Sequence, residues 1–127
     1  MDHAVVQNLS GALNGPALSV AGTVPAVLGQ IQVIWANGLG PTLPSVADGA
    51  AAPSTPPAGT ANPVSVYVNG VAQTVQFSGL APTLTGAYQV NFLLDPSTPV
   101  LPEGQNFIWL QVGGFQSTQL PISIALP

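Results

Sequence analysis

Few side chains in this sequence could take part in chemistry. Its 127 residues include one histidine, His3, and four acids, Asp2, Asp48, Asp95 and Glu103. Lysine, arginine and cysteine are absent. No cation can therefore hold a phosphate or a carboxylate, and no thiolate can attack a substrate or bind a metal. We predict a protein that is not an enzyme and that needs no cofactor.

His3 is the residue on which a hydrolytic mechanism would depend. A nucleophilic serine needs a histidine base within hydrogen-bonding reach and an acid that orients this base. His3 lies near the amino terminus, and the sequence contains no Gly-x-Ser-x-Gly motif. We therefore interpret His3 as a solvated residue without a catalytic role.

Three of the acids, Asp48, Asp95 and Glu103, are the candidates for a calcium site. Calcium takes about six to eight oxygen ligands, usually several carboxylates among them, whereas these acids are scattered along the chain. Asp48 precedes Gly49 and Asp95 precedes Pro96, and both pairs are typical of turns. We interpret the acids as turn residues and predict no metal site.

The charge composition excludes several classes of partner. Charged residues make up 3% of the chain, against a usual fraction of about 25%. Without lysine or arginine the protein cannot neutralise phosphates, so we predict that it binds neither nucleic acid nor an anionic membrane surface. No segment has the ~20 mostly apolar residues of a membrane span, so we predict no membrane insertion. The chain also offers no trypsin site, which suits a protein that persists outside a cell.

The apolar residues recur with a period of two in short segments, which 14 glycines and 14 prolines separate. This alternation is typical of strands with one buried face. The predicted strands occupy residues 4–8, 30–36, 64–69, 71–77, 87–93, 106–112 and 115–126. We predict one all-β domain over the whole chain, an antiparallel β-sandwich of the immunoglobulin type.

Each longer strand has a predicted inward face. The inward residues are Ile31, Val33 and Trp35; Val64, Val66 and Val68; Val71, Val75 and Phe77; Tyr88, Val90 and Phe92; and Ile122, Ile124 and Leu126. Trp35 and Tyr88 are therefore interpreted as core residues and not as platforms for a sugar. Asn69-Gly70 predicts a type I′ hairpin turn, because both of its central residues need positive φ. Gly113-Gly114 predicts a second tight turn, and Pro121 predicts an edge position or a bulge.

Residues 38–63 interrupt the pattern of short strands. The segment contains prolines at positions 41, 44, 53, 56, 57 and 63, and it exceeds the roughly 12–15 residues of most loops in compact domains. Because proline lowers the entropy lost on ordering, we predict an ordered, extended arm or loop. Its apolar residues Leu39, Leu43 and Val46 need burial, against the sandwich or against a neighbouring copy.

One predicted strand is apolar on both faces. Ile108, Leu110 and Val112 supply its inward face, so Phe107 and Trp109 point away from the core. Apolar residues on both faces indicate that something covers the second face. Two alternatives stay open here: the Pro-rich arm folds over these aromatic residues, or they form an interface with another copy of the chain.

Three blocks of the sequence carry a resemblance to a known family. They are IWANGLGPTLPSVADGAAAP at 34–53, FSGLAPTLTGAYQVN at 77–91 and VGGFQS at 112–117. Together they resemble the Solibacter-type C-terminal domain of large secreted acidobacterial proteins, which is similar in turn to the IPT/TIG branch of immunoglobulin-like domains. The resemblance runs over residues 4–126. It implies a secreted β-sandwich that serves as a module of surface or matrix proteins, and it implies no catalytic residues.

The uncharged surface suggests a function. Soluble sandwiches usually protect their edge strands with charge, especially lysine, whereas this surface can pack against copies of itself without desolvating a charge. We predict an extracellular or cell-surface structural protein that self-assembles as a homo-oligomer or homopolymer into a fibre, layer or surface structure. The predicted self-association residues are Phe107, Trp109, Leu39, Leu43 and Val46. The alternative is an adhesin or carbohydrate-binding module of a larger secreted protein, with a surface glycan as its partner.

The arm at residues 38–63 provides the first test. If it is ordered against the sandwich or a neighbouring copy, a protease of broad specificity should cut it no faster than the rest of the assembled protein. Limited proteolysis followed by mass spectrometry of the fragments measures this. Rapid cleavage confined to the arm contradicts the prediction.

Overall fold

The computed structural model describes residues 5–8, 14, 25–36, 39, 42–43, 46, 50–52, 58–82, 84, 87–117 and 119–125. Within these residues there are eleven β-strands and no helix, and hence no helix that could cross a membrane. The strands are β1 (Val5–Asn8), β2 (Ile31–Ala36), β3 (Thr42–Leu43), β4 (Gly59–Thr60), β5 (Val64–Val68), β6 (Val71–Ala72), β7 (Thr74–Leu80), β8 (Tyr88–Leu93), β9 (Phe107–Val112), β10 (Phe115–Gln116) and β11 (Leu120–Pro121).

The strands form two antiparallel sheets. The first sheet has the order β1-β2-β8-β7-β4-β3, and the second has the order β10-β9-β5-β6 with β11 also paired to β9. In an immunoglobulin-type sandwich, strands A, B, E and D form one sheet and strands C, F and G the other. Here β1, β2, β8 and β7 take the places of A, B, E and D, while β5, β9 and the β10–β11 segment take those of C, F and G. The predicted all-β sandwich is confirmed.

The core lies between the two sheets and contains most of the predicted inward residues. Val64, Val66, Val68, Val90, Phe92, Ile108, Leu110, Ile122 and Ile124 are all buried in one cluster. A slip of one residue would move every side chain of a strand to its other face. The predicted registers of β5, β8 and β9 are therefore confirmed. Leu126 lies outside the described residues.

The predicted register of β2 is wrong. Ile34 and Gln32 face the core beside the buried residues of β8, while Ile31, Val33 and Trp35 lie on the outer face of the sheet. Val33 is buried on that outer face, at 8% exposure, outside the main core cluster. The strand has apolar residues in both phases, so its alternation does not select a face. The result places an amide in the core, and Gln32 Nε2 is the one buried side-chain nitrogen or oxygen among the described residues without a hydrogen-bond partner.

Both predicted turns are confirmed. Asn69 and Gly70 have φ angles of 51° and 82°, the positive pair that a type I′ turn requires. Gly113, with φ of 58°, opens the second turn, which joins β9 to β10. Pro121 lies on β11 at the edge of the second sheet, as its missing N–H predicts.

The strand predicted at 71–77 divides between the two sheets. β6 belongs to the second sheet and β7 to the first, and Gln73 lies at the crossing. A bulge between Val75 and Phe77 then shifts the register of β7 against β8. Val75 packs against the core as predicted, whereas Phe77 lies on the outer face. The predicted inward position of Phe77 is therefore wrong, because the extra residue inverts the alternation.

Gln73 fixes the crossing with its side-chain amide. Its Nε2 donates to the carbonyl of Val71 at 2.9 Å and to Thr98 Oγ1 at 3.2 Å. Its Oε1 accepts a hydrogen bond of 2.7 Å from the backbone N–H of Asp95. One buried side chain thus ties β6 to the turn that follows β8.

Parts of the arm at 38–63 lie among the described residues. Leu39 is 1% exposed within the main core, and β3 and β4 extend the first sheet beyond β7. Val46 packs on a small separate cluster formed by Ala52, Ala58 and Leu80. These described residues attach to the first sheet. The remainder of the arm is outside the described residues, so its order stays a prediction.

Substitution of Gly79 tests the contact between β4 and β7. A Cβ atom at this position would overlap the carbonyl oxygen of Ala58 and come within 2.8 Å of Phe77 Cζ. Gly79→Ala should therefore lower the free energy of unfolding by about 1–3 kcal/mol in urea titrations. The matched control is Gly114→Ala, because a Cβ atom there meets nothing within 4 Å. Equal unfolding midpoints for the two variants would contradict this packing.

Candidate functional site

Two of the acids that could take part in a catalytic or metal site, Asp95 and Glu103, lie among the described residues. Among the described residues, no group of three or more histidines, cysteines and acids lies close enough to hold a metal ion. Glu103 Oε2 instead accepts hydrogen bonds from Ser123 Oγ at 3.0 Å and from its neighbouring N–H at 3.1 Å. His3, Asp2 and Asp48 lie outside the described residues, so the interpretation of His3 stays a prediction.

Asp95 forms a turn, as the sequence predicts. Its Oδ1 accepts hydrogen bonds of 2.7 Å from both the hydroxyl and the backbone N–H of Ser97, and its carbonyl accepts one of 3.0 Å from the N–H of Thr98. The Ser97 hydroxyl, followed by the Ser97 N–H, holds the pKa of Asp95 below its ordinary value. Because folding lowers this pKa, the contact stabilises the fold above the ordinary pKa and weakens as pH falls through the lowered value.

The outer face of the second sheet carries three aromatic residues, which we name the aromatic patch: Tyr67, Phe107 and Trp109. Tyr67 on β5 pairs directly with Trp109 on β9. Their rings stack with centroids 5.7 Å apart and planes 13° apart. Phe107 is the next outward residue along β9 and is 36% exposed. The prediction that Phe107 and Trp109 point away from the core is confirmed.

The described residues around the aromatic patch are uncharged, and those at one end of it are polar. Strand pairing places Ser65, Gln111 and Gln116 on the same face of the sheet at one end of the patch. Ala72 lies opposite Tyr67, and Pro121 lies opposite Phe107. A partner that covers this face therefore desolvates aromatic, amide and hydroxyl groups without desolvating a charge.

Two asparagines position the beginning of β9 and with it the aromatic patch. Asn69 exchanges two hydrogen bonds of 3.0 Å with the backbone of Phe107. Its Nδ2 also donates to the carbonyl of Pro99 and to Asn106 Oδ1, both at 2.8 Å. Asn106 is buried and exchanges two hydrogen bonds of 2.9 Å with the backbone of Leu101. The turn residue Asn69 thus locks β9 to the loop that precedes it.

The five residues predicted to associate between copies do not lie together. Phe107 and Trp109 share the second sheet, whereas Leu39 lies in the core and is closed to a neighbouring copy. Leu43 is 71% exposed on β3, at the edge of the first sheet, and Val46 packs against a cluster beside that sheet. The described residues of the arm therefore do not cover the aromatic patch.

Tyr67 is not among the residues that the sequence predicts for an interface. The segment VSVYV alternates strictly, so the valines that were assigned to the core leave Tyr67 on the opposite face. The cross-strand register then brings it to Trp109. The alternation of β5 indicates that Tyr67 lies on the outer face. Only the pairing of β5 with β9 shows that it lies beside Trp109.

The outer face of the first sheet carries a second group, which we name the aromatic–amide face. Its members are Gln7 on β1, Trp35 on β2, Gln89 and Asn91 on β8 and Phe77 on β7. Trp35 Nε1 donates to Gln7 Oε1 at 2.7 Å, and Gln89 Nε2 donates to Asn91 Oδ1 at 2.9 Å. Trp35 was predicted to be a core residue, and it lies outside because the register of β2 is the opposite one.

The edge strands β3 and β10 each carry an exposed apolar residue. These are Leu43 on β3 and Phe115 on β10, which is 83% exposed. Each of these strands is only two residues long. Short edges offer few backbone groups to a pairing strand from another chain. The edges are therefore weaker candidates for association than the aromatic patch.

The Asn69–Asn106 pair is tested by Asn106→Ala. The substitution leaves the N–H and carbonyl of Leu101 without their partner and removes one of the two hydrogen bonds of Asn69 Nδ2, so the free energy of unfolding should fall by about 2–4 kcal/mol. Urea unfolding measures the change. Asn62→Ala is the control, because Asn62 is an exposed asparagine in the bend before β5. Loss of less than about 1 kcal/mol contradicts the structural role of the pair.

Comparisons with models of known protein families, with curated proteins and with solved structures found no match to the chain. The resemblance to the Solibacter-type domain therefore stays a prediction from sequence.

Proposed function

We propose that the protein is a secreted, non-enzymatic structural protein that self-assembles through the aromatic patch, as the subunit of an extracellular fibre, layer or surface structure. The observation that carries the proposal is the stacked pair of Tyr67 and Trp109 beside Phe107 on an outer sheet face. Antiparallel sheets with one solvated face normally place polar residues there. A face that is aromatic at its centre and uncharged at its rim is suited to burial against another protein surface.

The composition of the aromatic patch resembles the centre of protein–protein interfaces. Tyrosine, tryptophan and phenylalanine are enriched in interface cores, where charged residues are depleted. Tyrosine and tryptophan are also frequent among the residues whose removal weakens binding most. A second copy meets the patch with the same chemistry, because a two-fold contact uses the same surface on both copies. Such a contact pairs two copies, and growth of the pairs into a fibre or layer requires a further surface of the subunit.

The stacking geometry favours a protein partner over a sugar at this patch. Tyr67 and Trp109 face one another at an interplanar angle of 13°, so each covers one ring face of the other. A sugar ring that packs on an aromatic residue needs an open ring face. Because the stack covers one face of each ring, the aromatic patch offers a sugar less open ring surface than two unstacked rings would.

The composition supports an extracellular setting for such an assembly. The chain has no lysine or arginine, so enzymes that cut after these residues find no site in it. With four acids as its only charged residues, contacts between copies involve little electrostatic repulsion and depend weakly on salt. Both properties suit a subunit that packs closely and persists outside the cell.

Removal of Trp109 tests the proposal. Trp109→Ser should weaken self-association roughly 30-fold, the effect of losing an interface residue that contributes about 2 kcal/mol. Analytical ultracentrifugation across a concentration series gives the association constant, and negative-stain microscopy shows the assembly. Phe107→Ser is a second variant outside the stack, and it should weaken association without loss of the Tyr67 contact.

Phe115→Ser is the matched control for these variants. Phe115 is the most exposed large apolar residue described, but it lies at the tip of the β9–β10 hairpin and not in the patch. It should leave assembly unchanged. A parent protein that stays monomeric at every accessible concentration contradicts the proposal, as does assembly that Phe115→Ser abolishes and the patch variants do not.

A further inference from the structure

The aromatic–amide face has a regular arrangement set by strand pairing. β8 lies between β2 and β7, so its outward residues Gln89 and Asn91 separate two aromatic side chains. Gln89 pairs with Trp35 on one side, and Asn91 pairs with Phe77 on the other. With strands about 4.8 Å apart and successive outward residues about 7 Å apart, the Cα atoms of the two aromatic residues are separated by roughly 12 Å.

Phe77 lies along the sheet above a glycine. A Cβ atom on Gly79, the next outward residue of β7, would come within 2.8 Å of Phe77 Cζ. The ring and the backbone of Ala58 and Gly59 together fill the space that the glycine leaves open. Aromatic residues commonly shield glycine in strands by such packing. The Phe77 side chain lies on the outer face of the sheet and is partly exposed there.

Trp35 is held on the sheet by its indole N–H. The hydrogen bond of 2.7 Å runs from Nε1 to Gln7 Oε1, and Gln7 lies two residues beyond Val5, the β1 residue paired with Trp35. The indole therefore leans along the sheet surface. Because the one polar atom of the side chain already has a partner, what Trp35 offers to a ligand is its aromatic ring.

The amides between the two aromatic residues keep hydrogen-bonding capacity. The bond from Gln89 Nε2 to Asn91 Oδ1 uses one donor hydrogen and one acceptor atom. Gln89 Oε1, Asn91 Nδ2 and Gln7 Nε2 are not used by the described contacts, and each is a neutral group that suits a hydroxyl. The described acids, Asp95 and Glu103, lie in the segment between β8 and β9 and not on this face.

We propose that the aromatic–amide face binds a neutral glycan chain. A sugar ring has a C–H face that packs on an aromatic ring and hydroxyls at its edge that exchange hydrogen bonds with amides. Two aromatic residues at a separation of roughly 12 Å span more than one sugar ring, so the ligand is an oligosaccharide or polysaccharide. An anionic glycan is disfavoured because the chain has no lysine or arginine to pair with its charge.

A second copy of the chain fits this face less well than a glycan. A flat apolar contact would bury the amides of Gln89 and Asn91 without partners, which is unfavourable, whereas hydroxyls satisfy them. The face lies on the outside of the first sheet, and the aromatic patch lies on the outside of the second. Glycan binding and self-association can therefore occur on opposite sides of one subunit, and the glycan site does not depend on the proposed assembly.

Affinity electrophoresis of the full chain tests the proposal. The native gels contain hydroxyethylcellulose, xylan, glucomannan or dextran as neutral probes and alginate as the anionic comparison. We expect at least one neutral polysaccharide to retard the protein and alginate to have no effect. Phe77→Ala and Gln89→Ala should each weaken the retardation about tenfold. Trp109→Ser, on the opposite face, should bind like the parent protein.

Fluorescence locates the binding without removing the site. The chain has two tryptophans, so Trp109→Phe leaves Trp35 as the only one. Addition of the retarding polysaccharide should shift the emission of Trp35 in this variant. In the converse variant, Trp35→Phe, the emission of Trp109 should stay unchanged.

Three results overturn the proposal. The first is the absence of retardation by all four neutral polysaccharides. The second is undiminished binding by folded Phe77→Ala and Gln89→Ala proteins, with a constant Trp35 emission. The third is loss of self-association in these variants without any polysaccharide binding, which identifies the face as a contact between copies. Self-association is measured separately with Trp109→Ser, so failure of the glycan site and failure of the assembly are distinguished.

Discussion

The absence of cationic side chains is the constraint on which the rest of the structure depends. Where other proteins fasten loops with ion pairs, this chain uses amides, which carry a donor and an acceptor in one neutral group. Asn14 exchanges two hydrogen bonds of 2.8 Å with the backbone of Ser123, far away in sequence. Asn106 does the same with Leu101. In each case the asparagine side chain forms two hydrogen bonds with one backbone residue, like a hydrogen-bonded residue pair in an antiparallel sheet. Because all of these groups are neutral, the contacts depend little on salt.

These amides lie where the chain changes direction, and this links the fold to its surfaces. Gln73 fixes the crossing between sheets, and Asn69 combines a turn with a lock on the first residue of β9. Because Asn69 is held at positive φ, its side chain can reach the loop before β9 while its backbone closes the hairpin. Tyr67 lies on β5 and Trp109 on β9. The contacts of Asn69 with Phe107 fix the register of these two strands next to the stacked pair. The outer aromatic residues are thus positioned by neutral hydrogen bonds.

The sequence predicted the fold class and the faces of β5, β8 and β9, because in these strands strongly apolar residues alternate with polar or aromatic ones. It did not predict the face of β2, where Ile34 and Val33 are equally apolar and the core accepts Gln32. The position of Phe77 was inaccessible for another reason, since a bulge is a property of the pairing with β8 and not of β7. The sequence predicted that Phe107 and Trp109 lie on the outer face. It did not predict Tyr67 beside them, because that contact follows from the pairing of β5 with β9. Both aromatic residues of the aromatic–amide face, Trp35 and Phe77, were predicted to lie in the core. The sequence therefore did not predict this face.

In a chain with almost no charge, recognition depends on shape and on the satisfaction of hydrogen bonds. The two outer faces of the sandwich differ in this respect although both combine aromatic and amide residues. On the second sheet the rings of Tyr67 and Trp109 pack on each other, and the amides lie at the rim. On the first sheet the amides of Gln89 and Asn91 lie between the aromatic residues, and among the described contacts they keep one acceptor and one amide nitrogen for a ligand. A partner without hydroxyls or amides leaves those central groups unpaired, whereas the stacked patch makes no such demand. The two proposed roles, self-association on one face and glycan binding on the other, therefore follow from the position of the amides relative to the rings.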